Sequence, residues 1–126
     1  MKKIIFYSYL KCSTCRKAAI WLESKNFEFQ LIDIVKEPPL VNYLNLALEQ
    51  YSDDKKRIFN TRGKAFKTIN LDIYSLSREE IIKLLSSDGK LIKRPFLIYE
   101  EKKVILGFNE IEYSKNLYKF KKSRLY

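Results

Sequence analysis

Two cysteines stand where the pattern of an apolar strand gives way to that of a helix. Residues 3–9 are β-branched and aromatic and are bounded by polar residues, which predicts a buried strand. Over residues 13–25 the apolar positions instead form a one-sided helical stripe. Cys12 therefore falls in the loop after the strand, and Cys15 falls in the first turn of the helix. A strand and helix in this order begin a βαβ unit, whose parallel strands are joined by a right-handed crossover.

The remaining elements predict a thioredoxin-like α/β fold. The predicted strands after the first span residues 27–34, part of 91–99, and 103–106. The predicted helices after the first span residues 40–51, about 65–69, 77–88, and onward from Asn109 or Glu110. The order β-α-β-α-α-α-β-β-α describes a four-stranded mixed sheet, βαβ then ββα, with an all-helical insertion at about 40–88. Residues 1–126 are expected to form a single domain that ends in a basic tail at about 113–126.

The absence of histidine excludes several classes of enzyme. The chain contains no His and 2 Cys among its 126 residues. Ser-His-Asp and Cys-His catalysis are therefore excluded, and so are the common zinc sites that contain histidine. Two cysteines also cannot close a four-cysteine metal site within one chain. We expect no metal site and no bound cofactor.

The chain is strongly basic. It has 25 Lys and Arg against 15 Asp and Glu, a net charge of +10. Such a field favours nucleic acid, an acidic protein surface or an oxyanion as a partner. Half of the excess charge lies in residues 113–126, which carry five basic residues and no acid. We interpret this tail as a solvated, frayed end. The alternative is that the tail contacts nucleic acid or an acidic partner. For the protein as a whole, direct binding to nucleic acid is not expected.

No export signal or membrane span is predicted. The apolar run near the start ends at Lys11 without a small-residue cleavage site, and no stretch approaches the roughly 20 apolar residues that span a bilayer. We expect a cytoplasmic, monomeric protein with no membrane contact. In that compartment a close cysteine pair is more often catalytic, redox-sensing or metal-binding than structural.

The residues themselves predict redox chemistry at Cys12 and Cys15. Three residues apart at a helix start, the two sulfurs lie on one side of the helix and reach each other. The positive helix N-terminus, with Lys11 and Arg16 nearby, stabilises a thiolate. We predict that Cys12 attacks and that Cys15 resolves, closing a disulfide. Two alternatives stay open: half of a zinc site completed by another chain, and two inert thiols used for packing.

Four segments resemble a known family in their order and spacing. They are residues 5–18 (IFYSYLKCSTCRKA), 59–67 (FNTRGKAFK), 87–95 (SDGKLIKRP) and 104–110 (VILGFNE). The chain resembles the Spx and arsenate-reductase-related (ArsC-like) family of the thioredoxin superfamily from residue 3 to about 112. The resemblance implies a thioredoxin-like sheet with a helical insertion. It also implies a cis peptide bond before Pro95, which would pack beside the cysteine loop.

The resemblance also implies an anion site. In the family's arsenate reductases, which use glutaredoxin and glutathione, one cysteine attacks the arsenic oxyanion and three arginines hold it. Cys12 matches that cysteine and Arg94 matches one arginine, whereas Asn60 and Phe108 fall at the other two positions. Arg94, Arg62 and Asn60 are accordingly the predicted substrate- or anion-binding residues. With this set, arsenate reduction ranks third among the functions considered.

Two other functions rank above it. The leading hypothesis is a thiol–disulfide redox protein of the ArsC-like branch, with glutathione, glutaredoxin or thioredoxin as its reductant. The alternative is an Spx-type transcription regulator, which binds the C-terminal domain of the RNA polymerase α subunit and switches on disulfide formation. Cys12 and Cys15 match that switch. An enzyme is expected to turn over with a reductant, whereas a regulator is expected to bind the polymerase in one redox state.

Overall fold

Four strands and five α-helices form the part of the chain that the structure describes. The computed structural model describes the backbone of residues 4–124 and the side chains of residues 4–119. In chain order the elements are β1 (Ile4–Ser8), α1 (Ser13–Ser24), β2 (Phe29–Asp33), α2 (Val41–Gln50), α3 (Lys64–Ile69), α4 (Arg78–Ser87), β3 (Phe96–Tyr99), β4 (Lys103–Leu106) and α5 (Glu110–Arg124). Short 3₁₀ helices lie at Lys55–Ile58, Ile73–Ser75 and Gly89–Leu91.

The strands form one mixed sheet in the order β2-β1-β3-β4. β1 and β2 are parallel, with Ile4 opposite Phe29, as a βαβ unit requires. β3 pairs antiparallel with both β1 and β4. This order confirms the predicted thioredoxin-like sheet, in which a βαβ half is joined to a ββα half.

The sheet buries apolar side chains on both faces because successive residues of a strand point to opposite sides. Ile4 and Phe6 pack on one face with α1 and α5. Tyr7 packs on the other face with α2 and α4. All four residues of β3 are buried, as expected for a strand with neighbours on both edges and helices on both faces. β1 therefore ends in a well-supported position directly before the cysteine loop.

The segment between β2 and β3 is helical, as its pattern predicts. α4 begins with a capping box: the Ser77 hydroxyl accepts from the Glu80 N–H, and the Glu80 carboxylate accepts from the Ser77 N–H. Leu44 and Leu48 of α2 share one core cluster with Ile81 of α4. These helices consequently cover one face of the sheet.

The strand predicted within residues 91–99 is β3, which begins at Phe96. Before it, Gly89–Leu91 form a 3₁₀ helix that the apolar pattern did not predict. The Asp88 carboxylate accepts from the Lys90 N–H at 2.9 Å and caps this turn. The backbone of Gly89 also lies against that of Ile34, so closely that a Cβ atom there would lie 1.9 Å from the Ile34 carbonyl oxygen. An apolar pattern reports neither contact.

α5 contains the backbone of most of the predicted basic tail. Tyr113 and Leu117 are fully buried against the α1 side of the sheet. The side chains of residues 120–126 lie outside the described part of the chain, and with them most of the charge that the tail prediction concerns. Within the described residues no helix is both long and apolar enough to cross a membrane.

Candidate active site

Cys12 is the N-cap residue of α1, and its backbone is extended (φ −98°, ψ 113°). Its N–H donates to the Tyr9 carbonyl at 3.0 Å, and its Sγ accepts from the Cys15 N–H at 3.3 Å. The sulfur thus occupies the place that a Ser, Thr or Asp oxygen usually fills at a helix N-terminus. The free N–H groups and the helix dipole favour negative charge at this sulfur.

Cys15 lies one helical turn further and is inaccessible. It is 0% exposed, whereas Cys12 is half-buried, and both are free thiols. The i, i+3 spacing brings the two residues to the same side of α1. An incoming substrate can therefore reach Cys12 first, while Cys15 lies beneath it.

The two thiols differ in acidity. Burial raises the pKa of Cys12, but hydrogen bonds from Cys15 and Arg94 and the positive charge of Arg94 outweigh that effect, so the pKa lies below its ordinary value of 9.0. Burial and then the hydrogen bond to Cys12 raise the pKa of Cys15 to about 12. Cys15 is therefore a protonated donor near neutral pH, and Cys12 is the group that ionises first.

Arg94 is half-buried and is separated from the start of β3 by Pro95 alone. Its guanidinium carbon lies 5.0 Å from the centroid of the Tyr9 ring, which holds the cation without neutralising it. Its Nη1 donates to the Lys90 carbonyl at 3.4 Å, and its buried Nε has no hydrogen-bond partner. The Arg94–Pro95 peptide bond is cis, and Pro95 is buried. Arg94 thus keeps hydrogen-bonding capacity beside the cysteine loop.

An open cavity of about 910 Å³ connects Cys12 with the predicted anion-binding residues. Asn60, Arg62 and Arg94 line it together with Cys12. Cys15 and Pro95 do not line this cavity. The structure therefore brings four of the six predicted site residues to one surface and buries the other two.

Asn60 is not a helix cap. Its position shortly before α3 allows that interpretation, but the N-cap of α3 is Gly63 and no side chain caps the helix. Instead the Asn60 amide lies over Gly63, where a Cβ atom would be 2.6 Å from the amide nitrogen. The absence of a side chain at Gly63 consequently gives the Asn60 amide its room at the cavity.

Several cavity residues were not predicted from the sequence. Arg57, Lys93 and Lys115 also line the cavity, with Glu112 as an opposing carboxylate. Their signals were weak: Lys93 adjoins the Arg94-Pro95 pair, and Arg57 ends a run of three basic residues that matches no motif. Phe108 lines the cavity too. Its ring packs against Tyr113 at 4.8 Å between centroids.

No cluster of three or more His, Cys, Asp or Glu side chains that could bind a metal ion occurs among the described residues. The site instead consists of an accessible thiol at a helix N-terminus, a buried second thiol, and an arginine before a cis-proline. These features, on a sheet of this order, define a thioredoxin-like protein with a dithiol site. The chain belongs to the ArsC family, whose model matches residues 7–116.

Named relatives agree with this assignment. The uncharacterized protein YusI of Bacillus subtilis (strain 168) is 42% identical over 115 residues, covering 90% of this chain and 97% of YusI. The global transcriptional regulator Spx of Lactiplantibacillus plantarum is 33% identical over 109 residues, covering 86% of this chain and 82% of that protein. The crystal structure of a possible arsenate reductase from Streptococcus mutans UA159 matches with a TM-score of 0.80 and 39% identity, covering 86% of this chain and 93% of the other.

Proposed function

We propose that the protein is a thiol–disulfide oxidoreductase that uses Cys12 as nucleophile and Cys15 as resolving thiol. One observation carries the proposal: Cys12 lies half-exposed at the N-terminus of α1 and accepts the Cys15 N–H at 3.3 Å, while Cys15 itself is fully buried. The Cys12 thiol is accessible and has a lowered pKa, and the Cys15 thiol lies buried beneath it. Arg94, Arg62 and Asn60 bind the substrate or its anionic groups at the cavity.

The reaction proceeds in two exchanges. The Cys12 thiolate attacks one sulfur of a substrate disulfide, which forms a mixed disulfide and releases the other substrate sulfur as a thiolate. Cys15 then gives up its proton to the substrate thiolate released in the first exchange and attacks the Cys12 sulfur, which forms the Cys12–Cys15 disulfide and releases the second substrate thiolate. Two electrons pass from the protein to the substrate. Glutathione, glutaredoxin or thioredoxin reduces the protein again, and we place the cycle in the cytoplasm in a monomeric, single-domain protein.

The test uses a small neutral disulfide, bis(2-hydroxyethyl) disulfide, with each thiol replaced in turn. Cys12→Ser is expected to abolish exchange. Cys15→Ser is expected to accumulate a mixed disulfide at Cys12, seen by intact mass as one added mercaptoethanol group. The two variants are matched controls, since each removes one thiol from the same pair. Full activity in Cys12→Ser would contradict the assignment.

A second function is supported by the similarity to a protein named as a global transcriptional regulator, Spx. In this alternative the Cys12–Cys15 disulfide acts as a switch, and the oxidised protein binds the C-terminal domain of the RNA polymerase α subunit. The test is a pull-down of that purified domain with the oxidised and the reduced protein, and with Cys12→Ser, which cannot oxidise to the disulfide. Capture by the oxidised protein alone favours the regulator. Absence of capture in every state favours the oxidoreductase.

Arsenate reduction stays in third place. Of the three positions that an oxyanion-binding arginine set would fill, this chain has Arg94, Asn60 and Phe108, and the Phe108 ring packs on Tyr113. An oxyanion is bound best by several charge-assisted donors, and a phenyl ring supplies none. Arsenate belongs in the same assay as a substrate that we expect to react poorly.

A further inference from the structure

The cavity at Cys12 continues into a second one. A neighbouring cavity of about 450 Å³ is lined by Lys56 and Thr61 and shares Arg57, Lys93 and Leu106 with the first. Because the two cavities share three lining residues, we treat them as one groove, of which Cys12 lines only the first part. This groove, which we call the basic groove, is larger than a small disulfide needs.

The basic groove has a one-sided charge. Its cations are Lys56, Arg57, Arg62, Lys93, Arg94 and Lys115. Its carboxylates are Asp54 and Glu112. Asp54 is already engaged, because it accepts from the Tyr74 hydroxyl at 3.0 Å and from the Lys56 N–H at 3.3 Å. Six positive side chains therefore face two carboxylates, a distribution that attracts an acidic ligand along the whole groove.

Aromatic rings hold several of these cations in place. The Arg57 guanidinium carbon lies 4.8 Å from the centroid of the Tyr51 ring, and the Lys56 ammonium lies 6.0 Å from that of Phe66. Among the described side chains, the ion pair found is Arg78 with Glu49, and neither residue lines the groove. Stacking on a ring orders a cation while leaving its charge available, so the groove is preorganised for carboxylates.

We propose that the basic groove binds an acidic polypeptide segment beside the disulfide of a protein substrate. The inference rests on the proposed thiol–disulfide exchange, which it deepens by naming the substrate class. Carboxylates of the segment pair with Arg57 and Lys93, and the segment's cysteine sulfur meets Cys12. Ile111, which is 79% exposed and lines the same cavity, offers an apolar contact close to the reacting sulfur.

Binding is tested apart from chemistry. The probe is a fluorescent peptide with blocked ends that contains one serine flanked by aspartates. The control peptide has asparagine in place of each aspartate. Both peptides are titrated with the Cys12→Ser protein, which cannot react with them. Fluorescence anisotropy is expected to show about tenfold tighter binding of the acidic peptide, as a few exposed ion pairs would give. The preference is expected to disappear in 1 M NaCl, where the Debye length falls to about 3 Å. Equal binding of both peptides overturns the proposal, as does tighter binding of a single-stranded oligonucleotide of the same charge.

Turnover is tested with the matching cysteine peptides, each joined to 2-mercaptoethanol by a disulfide, with wild-type protein and dithiothreitol as reductant. The double variant Arg57→Gln/Lys93→Gln is expected to lower the ratio of kcat/KM for the acidic over the neutral peptide about tenfold, through KM. The control Lys36→Gln/Lys83→Gln removes the same charge from exposed positions outside both cavities and is expected to keep the ratio. An equal loss in the control overturns the groove assignment. If neither peptide is reduced while the acidic peptide still binds, the proposed thiol–disulfide exchange is wrong, but the assignment of the basic groove as a binding site for acidic segments is kept.

Discussion

Cys12 and Cys15 belong to the same helical turn, yet they are suited to opposite tasks. Cys12 caps α1 and has a cation beside it, so its ionised form is stabilised. Cys15 is fully buried, so its neutral form is favoured. A first nucleophile needs a low pKa, and a resolving thiol that stays protonated does not compete for the substrate. The difference arises from position alone, because the two side chains are chemically identical.

Arg94 is expected to control the acidity of Cys12. The rate of alkylation by iodoacetamide follows the thiolate fraction, so in the wild type it should rise with pH through a midpoint below 9.0, the ordinary value. Arg94→Gln removes a donor and a positive charge, so the midpoint should move upward and the rate at pH 7 should fall. Lys17→Gln, an exposed substitution on α1, is the control and should leave the midpoint of alkylation unchanged. An unchanged midpoint in Arg94→Gln would exclude this role.

Tyr113 joins α5 to the end of β4. It is 0% exposed, and its hydroxyl donates to the Gly107 carbonyl at 3.0 Å. Burial raises the pKa of Tyr113, so the hydroxyl stays a donor throughout the neutral range. Through this bond the last helix is tied to the strand end that borders the cavity at Gly107.

Removing that hydroxyl should cost stability. Tyr113→Phe leaves the ring in place but leaves the Gly107 carbonyl without this donor, an expected loss of about 1–3 kcal/mol in the free energy of unfolding. Urea denaturation measures the change. Tyr118→Phe, on the same helix but 66% exposed, is the control and should have little effect. If Tyr118→Phe lowered the free energy of unfolding by the same amount, the loss would not be due to the hydrogen bond between Tyr113 and Gly107.

Gly89 should tolerate no side chain. A Cβ atom there would overlap the Ile34 carbonyl at 1.9 Å, and backbone cannot move aside as a flexible side chain can. Gly89→Ala is expected to destabilise the protein by about 1–3 kcal/mol or more, as overpacking does. Gly63→Ala is the comparison, because the nearest atom that its Cβ would meet, at 2.6 Å, belongs to the Asn60 side chain. Thermal unfolding should separate the two variants, and equal melting temperatures would contradict the packing argument.

The boundaries of the elements show what sequence reasoning can reach. Strand and helix periodicity predicted the order of the elements along the chain, the mixed sheet and the helical insertion, including a helix at 77–88 where α4 lies. The turn at Gly89–Leu91 was not predicted, because it depends on a contact with Ile34, which is distant in the sequence. Arg57 and Lys93 were not predicted for the same reason: they are far apart in the chain, and only the folded insertion brings them to one cavity.

The charge of the whole chain is expected to oppose its own folding. At a net charge of +10, mutual repulsion among cations favours the expanded state, and added salt screens it. The urea midpoint should therefore rise between 20 mM and 300 mM NaCl at pH 7. The same rise should be smaller in Lys36→Gln/Lys83→Gln, which lowers the net charge without touching the groove. A midpoint that falls with salt would show that attractive pairs dominate instead.

The complete burial of Cys15 has a practical consequence for measuring motion. In the folded, reduced protein an alkylating reagent should add one group, at Cys12, because Cys15 is 0% exposed. A second group can be added only when α1 opens away from the sheet. The rate of that second addition, followed by mass spectrometry under conditions where opening is reversible, gives the free energy of this local opening, as amide hydrogen exchange does for a backbone N–H. The chain thus contains its own probe for the stability of the helix that carries the site.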